Sequence, residues 1–172
     1  LVWHTQSQQP DEPAIDDATR KELIRGYRRL GHYSYEAAYH SAGRLKNQVA
    51  RLLEQPSADQ LNAARAAWRA ARKDYSQTEV FRFGNWIVDD WETGVNAWPV
   101  DEGVLDYVGD GYNGSPTNPL ARHNLVANPN IVVDGLALKT EDLNWTHLAF
   151  IHGASEVESN VLLGYHAIEF LL

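Results

Sequence analysis

Residues 15–57 read IDDATRKELIRGYRRLGHYSYEAAYHSAGRLKNQVARLLEQPS. Leu23, Ile24, Tyr27, Leu30, Tyr35, Ala38, Ala42, Leu45, Val49 and Leu52 recur at spacings of three and four. That is the repeat of a helix with one apolar face. It predicts a helix from Ile15 to about Glu54, with Gly31 and Gly43 as places where it can bend. Pro56 then removes a backbone N–H and breaks the helix, and Ser57 is placed to cap the next one. Two successive amphipathic helices with a short stop between them point to a helical bundle.

The second helix is predicted from about Asp59 to Glu79 or beyond. Trp68, Arg72, Tyr75 and Glu79 are spaced 4, 3 and 4 along it. Eleven residues are close to three turns, so the four fall on one face. Trp68 and Tyr75 read as core and Arg72 as an ion partner at the core's edge. That reading leaves unexplained why the stripe ends on a carboxylate.

Beyond it the pattern shortens. Gly84, Gly94, Pro99 and Gly103 divide residues 81–108 into small pieces, and residues 109–120 form a turn-rich loop. Residues 121–139 are predicted as loop and short helical turns, since no second strand is in view to pair with them. Thr140-Glu141-Asp142-Leu143 resembles a helix start. Ser155-Glu156-Val157-Glu158 has the form of a capping box, predicting a helix from about Glu156 to the end. Residues 1–14 read as an extended, polar lead-in. The expectation is therefore an all-α domain over residues 15–172, a four-helix-bundle-like fold of four or five helices.

Composition limits the functions. The chain has 172 residues, 44% of them hydrophobic, which is enough for a substantial core. Fifteen basic residues stand against 23 acidic ones, a net charge of −8, which argues against a nucleic-acid surface. There is no cysteine, hence no disulfide, thiolate metal site or cysteine nucleophile. No run approaches the roughly 20 apolar residues of a transmembrane segment, and no signal peptide is visible in LVWHTQSQQP.

The chemistry concentrates in GYHAIEFLL, residues 164–172. Residues three apart on a helix are neighbours, so His166 and Glu169 point the same way and can share a cation. Gly164, one turn earlier, lets another element approach. The flanking residues are apolar nearly all round, predicting burial, and a buried carboxylate needs a partner. That partner is either a metal ion or an arginine such as Arg72 or Arg82. Two ligands do not make a tight site. The unclaimed carboxylates are Glu79, Asp101 and Glu102, with His123, His147 and His152 as weaker candidates. Imidazole with carboxylates suits iron, zinc or manganese. Neither H-E-x-x-H nor G-x-S-x-G is present, and catalysis would need a base such as Glu102.

Three blocks in order, AWRAARKDYSQTEVFRFG (67–84), VNAWPVDEGVLDYV (95–108) and GYHAIEFLL (164–172), resemble the imelysin family. The resemblance implies an all-α fold of two bundle-like domains related by duplication, of which this chain is similar to the first. It carries the G-x-H-x-x-E motif onto Gly164, His166 and Glu169, and the accompanying carboxylates onto Glu79 and Asp101. The metal set it implies is His166, Glu169, Glu79 and Asp101, with iron favoured over zinc. It further implies a bacterial envelope location, periplasmic or outer-membrane-anchored as a lipoprotein, with envelope iron-transport components as partners. A zinc endopeptidase on the same ligands is the alternative, and a helical interaction module with a structural His166–Glu169 pair is a second. Leu172 follows an apolar turn with no capping glycine, so the chain is expected to continue into the second bundle.

Overall fold

The computed structural model of the chain describes residues 15–172. The lead-in predicted over residues 1–14 lies outside them. Among the described residues there are six α-helices and one β-hairpin, so the protein is mostly α, as expected.

Helix α1 spans Asp17–Glu54 without interruption, running through both Gly31 and Gly43. Asp16 caps it by accepting from the Thr19 N–H at 2.8 Å. After Pro56, Ser57 caps α2 (Ala58–Ser76) by accepting from Gln60 N–H at 3.2 Å. Helix α2 runs back along α1, with Arg44 and Asp74 3.8 Å apart across the pair. Helix α1 is about twice as long as α2, about 57 Å against 28 Å at 1.5 Å per residue. Its apolar face therefore continues past the end of α2, and Leu23, Ile24, Tyr27 and Leu30 are exposed there.

Helix α2 stops earlier than expected, at Ser76. The fully buried Thr78 donates to the Tyr75 carbonyl from both its backbone N–H (3.0 Å) and its hydroxyl (2.7 Å). That tightens the chain into a 3₁₀ turn over Glu79–Phe81, which packs against α1. Phe81 packs at a tilt against Tyr27, ring centres 5.1 Å apart, and the Tyr27 hydroxyl donates to the Val80 carbonyl at 3.1 Å. Helices α3 (Trp86–Asn96) and α4 (Glu102–Leu105) follow.

The expectation of loop and helical turns over 121–139 is overturned in its second half. Strands β1 (Asn130–Val133) and β2 (Leu136–Lys139) pair antiparallel, Asn130 opposite Lys139. The missing partner strand lies just beyond a two-residue turn. Asp134 and Gly135 join them with φ of 47° and 82°, the left-handed pair that a two-residue hairpin turn requires. Ile131 and Val133 point into the core and Val132 outward, the alternation of a half-buried strand.

A second correction concerns Ser155. No helix begins at Glu156. Ser155 and Glu156 have φ of 60° and 56°, which no helix tolerates. Ser155 instead binds the hairpin turn, donating to Asp134 from its N–H (3.0 Å) and its hydroxyl (2.8 Å). Helix α5 (Trp145–Ile151), capped by Asn144, precedes this point. Residues 157–163 then run without helix to the last element, α6 (Gly164–Leu171).

Helix α6 lies between two cores. Tyr165 joins Ala38, Leu45, Ala71 and Tyr75 of the α1–α2 pair. Ala167 and Phe170 join the hairpin, α4 and α5 around Val104, Ile131 and Ile151. The helix that carries the G-x-H-x-x-E motif is thus fixed on both sides.

Candidate metal centre

Gly164 opens α6 with a φ of +85°, and a Cβ there would stand 2.3 Å from the Val95 carbonyl oxygen. Both facts demand glycine. The first residue of the motif is the point where α6 meets the end of α3, as the sequence suggested.

The stripe on α2 is the platform for the next residue. Tyr165 stacks on Tyr75 with ring centres 5.1 Å apart, and Trp68 Nε1 donates to the Tyr165 carbonyl at 2.8 Å. The Arg72 guanidinium lies 5.7 Å from the centre of each of these two tyrosine rings. Trp68 and Tyr75 are core, as expected. Burial pushes the Tyr75 phenol up to about 12, so it remains protonated.

His166 Nδ1 lies 3.2 Å from Glu169 Oε2. The His166 ring also packs against Trp98, centres 4.9 Å apart and planes tilted by 58°. Its side chain is 15% exposed, while that of Glu169 is 50% exposed. The expectation that both are buried therefore holds for the imidazole alone. Neither proposed arginine sits against Glu169. Arg72 lies over the tyrosines, and Arg82 pairs with Glu92 and covers the Tyr75 ring at 4.4 Å.

The two other carboxylates lie elsewhere. Asp101 is a buried hub that accepts four hydrogen bonds. Tyr112 Oη (3.0 Å) and the Ser115 N–H (2.9 Å) donate to Oδ1, and Asn118 Nδ2 (2.6 Å) and Ser159 Oγ (2.7 Å) to Oδ2. Burial alone would raise this carboxyl, but the donors outweigh it and hold it below the usual range. Glu79 is exposed in the 3₁₀ turn, beside a shallow depression shared with Arg82, Asp89 and Glu92. Among the described residues, no three histidine, aspartate or glutamate side chains come together as a set able to hold a metal ion. The structure does not gather Glu79 and Asp101 with His166 and Glu169.

The 3.2 Å separation is a hydrogen-bond distance between ring and carboxylate, and two ligands of one ion would stand at a similar spacing. Two donors about 2.1 Å from one metal stand about 3.0 Å apart at octahedral angles and about 3.4 Å apart at tetrahedral ones. The observed 3.2 Å falls between these. Trp98, Asn118 and Asn160 escaped the sequence reading. Only the position of Trp98, three residues before Asp101 in an aromatic-rich block, hinted at a role.

A mostly helical protein with a His–Glu pair on a glycine-started helix, braced by a tryptophan and two stacked tyrosines, is the class these features define. The imelysin family model (Peptidase_M75) matches residues 31–172, and the chain belongs to that family. It is also similar to iron-regulated protein A of Synechococcus elongatus, 35% identical over 68 residues. That stretch is 40% of this chain and 19% of the relative's length.

Proposed function

We propose that this imelysin-family protein binds a metal ion, iron foremost, through His166 and Glu169, and acts in bacterial iron acquisition at the cell envelope. The observation that carries the reading is the 3.2 Å separation of His166 Nδ1 and Glu169 Oε2, a donor spacing that one ion can bridge. The half-exposed Glu169 leaves the ion open to further donors, as an uptake protein that must also release its cargo requires. The iron-regulated name of the cyanobacterial relative is consistent with this. Among the described residues no helix is long and apolar enough to cross a membrane. Glu79 and Asp101, assigned to the same shell by the family resemblance, would have to move to reach it, and Asp101 would lose four hydrogen bonds in doing so.

X-ray absorption on the iron-loaded protein tests this. A nitrogen/oxygen shell with imidazole scattering that disappears in His166→Ala is expected. Identical spectra in the two proteins would remove the assignment.

A further inference from the structure

Ser159 and Asn160 tie the stretch that leads into α6 to Asp101, Asn118 and Ala154, and an imidazole holds it to the end of α3. His152, which ends α5, has Nε2 3.0 Å from the Thr93 carbonyl oxygen and Nδ1 3.2 Å from the Leu162 nitrogen. A carbonyl only accepts and a backbone N–H only donates, so the tautomer is fixed. The proton sits on Nε2, and Nδ1 accepts from Leu162. Thr93 belongs to the last turn of α3, whose carbonyls have no partner inside the helix. Leu162 is two residues before Gly164. Two residues beyond Thr93, the Val95 carbonyl is the atom on which Gly164 rests. The end of α3 thus receives the chain at two adjacent points, and His152 makes one of them.

We propose that His152 is a positioning residue for the His166–Glu169 pair: in its neutral form it ties Leu162 to the end of α3 and so sets where α6 begins. The inference rests on the reading of that pair as the ligand site. A second proton, on Nδ1, would face the Leu162 N–H donor to donor and open the tie. The pair is therefore held in place when His152 is neutral and loosened when it is cationic.

Burial pushes the His152 imidazole below its ordinary value, with the Thr93 carbonyl opposing. The folded protein then binds fewer protons at this ring than the unfolded chain does. The tie contributes fully above about pH 6.5 and is lost as pH falls below it. The titratable groups on the elements packed against His152 are Asp89, Asp90 and Glu92 of α3, Glu156 and Glu158 of the connecting loop, and His166 and Glu169 of α6. His147 shares its own helix. None of them figures among the influences on its titration.

The test is nitrogen-detected NMR of the full chain, isotopically labelled and metal-free, from pH 8 to pH 5. The expected result is the Nε2–H tautomer at pH 8, with the Leu162 and Gly164 amide signals moving at the His152 midpoint. His152→Ala should shift the α6 amides at every pH and abolish that step. His152→Asn, which keeps an acceptor for Leu162, should restore the amide positions without the step. Zinc affinity should fall about 10-fold or more in His152→Ala, the usual cost of losing a group that orients a ligand. An Nδ1–H tautomer, a Leu162 signal that ignores the titration, or α6 signals in His152→Ala that superpose on wild type would each overturn the proposal. If His152→Ala does not fold, the wild-type titration decides. The NMR arms need no metal, so a wild type that binds none would remove the function and leave the tie to be judged separately.

Discussion

Gly164 meets the Val95 carbonyl so closely that a Cβ at position 164 would lie 2.3 Å from its oxygen. This contact fixes the start of α6 against the end of α3, and with it the direction in which His166 and Glu169 project. Gly164→Ala must either move the two helices apart or strain a φ of +85°. The expected cost is at least about 2 kcal/mol, read as a lower urea midpoint. A variant within about 0.5 kcal/mol of wild type, the range of ordinary surface changes, would show that the contact is soft.

Asp101 organises the polypeptide around α4. Asp101→Asn keeps the shape but loses a carboxylate that accepts from four donors. A loss of about 3 kcal/mol is expected, since bonds to a charged group exceed neutral ones and a buried donor is left unmet. The pH dependence has a definite sign. A carboxyl held low in the folded state contributes stability above its unfolded value, about 3.8. That contribution is lost as pH falls through the folded value. The acid limb of the stability profile should therefore flatten in Asp101→Asn, and an unchanged limb would reassign the acid sensitivity.

Much of this architecture is legible in the sequence. The three-and-four spacing of α1, Pro56 as its stop and Ser57 as the next cap are local signals, and the structure obeys them. The Trp68–Tyr75 stripe and the need for Gly164 were equally plain. Two short signals were misread because long-range partners decide them. Asp134-Gly135 is a hairpin turn flanked by Ile131, Val133 and Leu138, and its two strands are each other's partners. Ser155 has the spacing of a helix cap, yet its donors are taken by Asp134, twenty-one residues earlier. Asp101 was legible as an unclaimed carboxylate, but its donors arrive from Tyr112, Ser115, Asn118 and Ser159, which no spacing rule connects. Half-exposure of Glu169 was invisible because apolar neighbours alone suggest burial.

The hairpin turn offers a sharper check. Gly135 has φ of 82° with open space around it, so Gly135→Ala meets no clash and pays only in backbone. The expected loss is about 1–2 kcal/mol. Asp134→Ala should release the 153–156 segment, seen as faster hydrogen exchange at the Ser155 amide, with the α1–α2 amides unaffected. Unchanged exchange at Ser155 would mean that the Asp134 contact does not hold this loop.

Trp98 is 69% exposed although its ring packs against His166. Its removal should barely change global stability while freeing the imidazole. Trp98→Ala is expected to weaken metal binding several-fold and to shift the His166 ring signals. A loss of stability without any change at His166 would mark Trp98 as packing instead.

The central claim is that His166 and Glu169 hold a metal ion, and equilibrium dialysis with elemental analysis addresses it most directly. Wild type, His166→Ala, Glu169→Gln and Glu79→Gln would be dialysed against iron and against zinc. One ion per chain is expected in wild type, with affinity lowered about 10-fold or more in the two α6 variants. Equal metal content in wild type and His166→Ala, at every free-metal concentration, would contradict it.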